Sequence, residues 1–154
     1  MRLFLSFTLC LFAITSNANE HMNQIIFKQF NLKGQKENSI SADKLVYSET
    51  EIVVSMPKIL QNNWQLTAQS ATMTPEFKII TFNHNVIILD KQDPTLRIET
   101  EKLQYIVAQK LFVNEEYVTF EKNHMKMSGT GLRANLPENK IKILRNVRTS
   151  LEVN

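Results

Sequence analysis

A chain of 154 residues is one domain long rather than two, and 43% hydrophobic against 21% charged residues argues against disorder. Three glycines leave no material for a glycine-rich phosphate loop or a collagen-like repeat. The 18 basic and 15 acidic residues sum to only +3, with the cations scattered rather than gathered on one stripe, so no nucleic-acid partner is expected.

The first element is apolar. Arg2 precedes a nearly unbroken run from Leu3 to Ile14, and the polar stretch Thr15 to Glu20 follows with the small residues Ser16 and Ala18. A positive residue, a short apolar run and a small-x-small site read as an export signal. As a helix the run spans ~18 Å against a hydrocarbon core of ~30 Å, too short for a comfortable anchor. Residues 1–18 are therefore expected to be a signal peptide or a short membrane anchor, with 19–38 a linker and first strand. The lone cysteine, Cys10, lies inside that run, so the remainder of the chain has no thiol chemistry and no disulfide.

Beyond residue 25 the sequence is dominated by short runs of β-branched and aromatic residues that alternate with period two. The runs are Ser39–Ala42, Glu51–Val54, Trp64–Ala68, Lys78–Phe82, Asn85–Leu89, Leu96–Thr100 and Tyr117–Phe120. Polar turn clusters separate them at Ser48–Thr50, Gln61–Asn63, Thr74–Glu76, Lys91–Pro94 and Leu136–Lys140. Turns at this density leave no room for amphipathic helices, and the pattern predicts an all-β sandwich, roll or barrel over residues 39–154.

The chain also repeats. Anchors at Ile40, Leu66, Ile98 and Met127 are each followed two residues later by a small or β-branched residue (Ala42, Ala68, Thr100, Gly129). Five residues after the anchor stand Leu45, Ala71, Leu103 and Leu132, and twenty after it Leu60, Val86, Val118 and Val147. Such periodicity predicts stacked β units, each covering its neighbour's apolar face.

No catalytic constellation emerges. His21, His84 and His124 have no closely spaced metal-ligating partners, and His84, between two asparagines, reads as a turn. Asp90 and Asp93 flank Pro94, where aspartate hydrogen-bonds its own backbone. The expectation is a protein without enzymatic activity, metal or cofactor. The alternating positions Leu66, Val86, Ile88, Ile98, Val118, Phe120, Met127 and Val147 are expected to face inward, together with Trp64. Composition alone leaves a packed core and a ligand groove equally open for them.

The segment Gly129-Thr130-Gly131-Leu132-Arg133-Ala134-Asn135-Leu136, followed by Ile141–Leu144 and Asn146-Val147-Arg148-Thr149-Ser150-Leu151-Glu152, is similar to the C-terminal signature of the LptC family. Ala42–Tyr47, Pro57, Trp64–Ala68 and Ile98–Thr100 follow that family's order upstream, so the resemblance covers residues 39–153. It implies an open β-jelly roll whose interior takes lipopolysaccharide acyl chains. It also implies a periplasmic protein at the inner membrane, receiving lipid from the lipopolysaccharide ABC transporter and passing it to an LptA-like bridge. Under that reading the eight inward positions line a lipid groove, and two sheet edges dock partners: Ser41 and Ala42 toward the transporter, Arg148 and Thr149 toward the bridge protein. Lys142, Arg145, Arg148 and Glu152 then guard the last strand against indiscriminate pairing. A soluble LptA-like bridge module and a structural β-roll binding only protein are the alternatives. The short leader departs from the membrane span typical of the family.

Overall fold

The computed structural model describes residues 20–30 and 36–151, which form antiparallel strands joined by short turns. The expected leader and Glu152 lie outside these residues. Eleven strands follow in order: β1 (Glu20–Phe30), β2 (Lys36–Tyr47), β3 (Ile52–Ser55), β4 (Lys58–Gln61), β5 (Trp64–Thr67), β6 (Ser70–Met73), β7 (Ile79–Asp90), β8 (Arg97–Ile106), β9 (Leu111–Lys122), β10 (Met125–Asn135) and β11 (Lys140–Leu151). The pairing is simpler than the count. β4 pairs with the first half of β2 and β3 with its second half, while β5 and β6 pair with opposite halves of β7. Thus β3 and β4 are two halves of one pass, as are β5 and β6, and the chain is an antiparallel meander with β1 and β11 at its edges.

Each pass is creased near its middle. Strict alternation would keep one face inward along a whole strand, but the buried positions step by three or four at one place. Phe82 is followed by Val86, Thr100 by Leu103 and Asn114 by Val118, while in β10 the slip brings Gly129, Gly131 and the adjacent Leu132 all inside. Register shifts between neighbouring strands fall at the same places. His84, Asn85 and Asn146 take left-handed backbone there, a conformation asparagine tolerates better than most residues. Lys78–Phe82 and Asn85–Leu89, read from sequence as two strands, are therefore one bent strand.

The aligned creases fold the sheet lengthwise into a front leaf and a back leaf. The front leaf holds β4, β5 and residues 86–90, 97–100, 117–122, 125–129 and 147–151. The back leaf holds β3, β6 and residues 79–83, 102–106, 111–114, 131–135 and 140–144. One core lies between them, with Phe82, Val86, Ile88, Ile98, Leu103, Val118 and Leu132 fully buried. In the back leaf the cross-strand pair Tyr105 and Phe112 stacks with centroids 4.5 Å apart. Burial raises the Tyr105 phenol above its ordinary value.

A crease frees backbone carbonyls from the ladder, and polar side chains take them up. Asn114 Nδ2 donates to Thr100 Oγ1 at 2.6 Å and to the Lys102 carbonyl at 3.2 Å, while Thr100 Oγ1 donates to the Tyr117 carbonyl at 2.8 Å. Backbone bonds from Met56 to Gln69 and from Gln69 to His84 carry the same line across the neighbouring passes. Among the described residues no helix is long and apolar enough to cross a membrane.

Candidate functional site

Away from the crease, the leaves end in two rows of turns that face one another. The front tips are Gln61–Trp64, Asp90–Arg97 and Lys122–Met125, and the back tips include the 3-10 turns Val107–Gln109 and Leu136–Glu138. One side-chain bond ties the two rows. The buried Trp64 indole Nε1 donates to the Leu136 carbonyl at 3.2 Å. Asn139, left-handed at the end of that turn, also donates its N–H to Leu136 at 3.0 Å, and Asn135 Oδ1 accepts from the Glu138 N–H.

Beyond this tie, toward β11, the tips part. A cleft of about 270 Å³ opens between Leu96, Phe120, Lys122 and Met127 of the front leaf and Asn139, Ile141 and Ile143 of the back leaf. Its walls are aliphatic and aromatic, with polar atoms only at the rim. Phe120 and Met127 are cross-strand partners, and Ile141 and Ile143 continue the core face of Ala134 and Leu132. β11 ends the strand order, and among the described residues nothing pairs with its far side, which leaves the cleft open laterally.

The rim is held by polar contacts. The Asp93 carboxylate accepts from the Thr95 N–H at 3.2 Å and from Thr95 Oγ1 at 2.5 Å, and Lys122 Nζ lies 3.3 Å away. Thr95 Oγ1 also meets Asn123 Oδ1 at 3.1 Å, joining the two front turns. The Thr95 hydroxyl, with Lys122 beside it, holds the Asp93 carboxyl below its ordinary value. Across the cleft, Lys140 pairs with Glu138 at 2.8 Å, which lowers the carboxyl and raises the ammonium.

The inward positions expected from sequence divide three ways. Leu66, Val86, Ile88, Ile98 and Val118 are buried to 3% exposure or less in the closed core between the leaves. Phe120 and Met127 line the open cleft. Val147 does not face a covered interior. It occupies the repeat position of Val86 and Val118, but on the edge strand no further pass among the described residues covers it, and it is 48% exposed.

The two expected edges also divide. Arg148 and Thr149 lie on β11, exposed and paired on one side only. Ser41 and Ala42 are not at an edge. Ser41 pairs with Ile26 of β1 on one side and Lys58 of β4 on the other, and Ala42 is buried. The backbone groups a partner strand would need there are already used, and the free edge is β1, whose Met22, Ile26, Phe27 and Phe30 are exposed. Leu96, Asn139, Ile141 and Ile143 went unnamed as lining residues, because their meeting depends on how the leaves fold over. His84 lies 3.8 Å from Glu101, with both side chains exposed. Among the described residues no three His, Cys, Asp or Glu gather as metal ligands.

The chain matches the family model of lipopolysaccharide-assembly, LptC-related proteins over residues 14–152. No curated protein matches it. Its fold is similar to the crystal structure of LptH from Pseudomonas aeruginosa, described as the LptA-homologous periplasmic component of the lipopolysaccharide transport device. That likeness has a TM-score of 0.59 at 12% identity and covers 75% of this chain and 95% of that one. It establishes an open β-jelly roll of the LptA kind.

Proposed function

The chain belongs to the LptC-related family of lipopolysaccharide assembly, a lipopolysaccharide-transport module of the LptC/LptA type, and from this we propose that it is a periplasmic carrier. In this reading it takes lipopolysaccharide from the inner-membrane ABC transporter and passes it to an LptA-like bridge for outer-membrane assembly. Residues 1–18 act as its signal peptide or short anchor, and the protein works at the inner membrane through its partners.

The observation that carries the proposal is the laterally open apolar cleft beside the unpaired edge of β11. Burying a methylene is worth ~0.8 kcal/mol, so an acyl chain leaving a bilayer needs apolar cover at every step. A cleft that opens at a free strand edge can be continued by a partner whose strand adds there, so the chain crosses without meeting water. Transfer of this kind needs contact surfaces and no bond-making side chains. Phe120 and Met127 touch lipid first, while Leu66, Val86, Ile88, Ile98 and Val118 become available only as the leaves part. Val147, Arg148 and Thr149 meet the bridge protein, and β1, rather than Ser41 and Ala42, presents the edge for the transporter.

Photo-crosslinkers at Phe120 and Met127 test the reading in cells. Capture of lipopolysaccharide at both supports it, and capture of protein alone at both would leave a structural β-roll.

A further inference from the structure

We infer that Lys122 is a headgroup clamp for a phosphorylated acyl amphiphile seated in the tip cleft, with Asp93 holding its ammonium until that ligand arrives. This rests on the lipid reading of the cleft and adds which headgroup it selects and by which residue.

Lys122 is the only charged side chain among the residues lining the cleft, and it stands at the rim with apolar walls below it. An amphiphile with its chain between Phe120, Met127, Ile141 and Ile143 brings its head to this ammonium. Lys140, across the opening, is already engaged with Glu138 at 2.8 Å. Lys122 is held more loosely, at 3.3 Å from Asp93, against 2.7 Å for Lys126 to Glu121 and for Arg145 to Glu115.

The Asp93 side has the asymmetry a displaceable contact needs. Its carboxylate keeps two donors from Thr95, the backbone N–H and the hydroxyl, when Lys122 leaves. Release therefore strands no unpaired charge. The incoming group must nevertheless outcompete a carboxylate tethered beside the ammonium. A free carboxylate carries the same charge without the tether and loses that contest. A phosphate monoester carries about −1.5 to −2 charges and three acceptor oxygens, and wins it. A lysine suits the exchange, being a compact charge on a flexible stem rather than a fixed planar fork.

Calorimetric titration of the full chain with single-chain amphiphiles of one length, below their micelle concentrations, tests this. Dodecyl phosphate should bind about fivefold tighter than dodecyl maltoside, the scale of one partly exposed ion pair, with dodecanoate close to the maltoside. Lys122→Gln should erase the preference and Lys122→Arg should keep it. Asp93→Asn should widen the preference and raise dodecanoate toward dodecyl phosphate. Met127→Glu should abolish binding of all three, placing them in the cleft. Equal binding of dodecyl phosphate and maltoside by the unaltered chain overturns the headgroup role and leaves the apolar cleft standing. Failure of every amphiphile to bind overturns both. Inorganic phosphate alone matching dodecyl phosphate would also overturn the inference, since the chain would then contribute nothing.

Discussion

Trp64 and Leu136 stand 72 residues apart in sequence, yet the indole of the first donates to the carbonyl of the second at 3.2 Å, joining the tips of the two leaves. The crease holds the leaves together along one side of the fold by continuous backbone. On the other side, this side-chain bond divides the tips into a closed stretch and the cleft beside β11. How far the leaves can part therefore depends on a buried contact that no strand pairing enforces.

Trp64→Phe keeps an aromatic ring and removes the donor. Leu136 retains the Asn139 N–H, so its carbonyl is not left bare, and the loss is about 1–2 kcal/mol. The urea midpoint should fall accordingly. The chain has a single tryptophan, so circular dichroism rather than fluorescence must follow the variant. If the tie limits opening, crosslinking of lipid from Ile98 should rise in Trp64→Phe while crosslinking from Phe120 stays level.

The two glycines of β10 act differently. A Cβ on Gly129 would lie 2.5 Å from Ile143 Cγ2 and 2.7 Å from the Arg145 carbonyl, so β11 would have to move. Gly131 has a φ of +79°, and a Cβ there would meet Leu144 Cδ1 and Cβ at 3.2 and 3.3 Å and the Asn114 carbonyl at 3.5 Å, none closer than 3.0 Å. Gly129→Ala should cost about 1–3 kcal/mol and speed amide exchange along β11. Gly131→Ala should cost about 1 kcal/mol through backbone strain, with β11 exchange little changed. Equal β11 exchange in the two variants would contradict the close approach.

Much of this architecture is legible in the sequence, and the exceptions share a cause. Period-two alternation locates the strand runs, and the polar clusters at Ser48–Thr50, Gln61–Asn63 and Lys91–Pro94 fall in the turns. The repeat is legible too, but its meaning is not. The residues two and five positions after each anchor, such as Thr100 with Leu103 and Gly129 with Leu132, flank the crease, and their three-residue offset is the frame slip itself. In the first unit Ile40 turns outward at 42% exposure and Ser39 faces in, so the repeat is not strict. Edges and clefts depend on which pass lies beyond a strand. Local pattern marks Val147 as inward because it resembles Val86 and Val118, and only the pairing order reveals that nothing covers it. In the same way, Ser41 reads as an edge residue until β1 is seen to pair beside it.

The exposed apolar residues of β11 supply a test of the partner edge. Val147 and Leu151 are 48% and 69% exposed on a strand whose far side is unpaired. Replacing both with lysine adds charge where natural edges carry it to prevent pairing. Stability should stay within about 0.5 kcal/mol, since neither side chain belongs to the buried core. Binding of an LptA-like bridge protein should weaken on the order of tenfold, read by titration of the purified pair. Unchanged affinity would move the docking surface elsewhere, with the β1 edge the next place to look.

Acid should loosen the tips, and the sign can be worked through at Glu138. Its carboxyl is lowered chiefly by the hydrogen bond from Lys140, then by that residue's charge. A carboxylate whose folded value lies below its unfolded one stabilises fully above the unfolded value, and the effect disappears as pH falls through the folded one. For Glu138 that window begins at the ordinary glutamate value and extends below it. Glu138→Gln should therefore lower the urea midpoint at pH 7 and converge on the unaltered protein as pH falls through the folded value. The pair is exposed, so the difference at neutral pH is small and shrinks with salt. Glu121, lowered by its bond to Lys126 beside the front tips, should follow the same course. A gap between Glu138→Gln and the unaltered chain that persists once both are fully protonated would mean the side chain acts by shape or hydrogen bonding rather than charge.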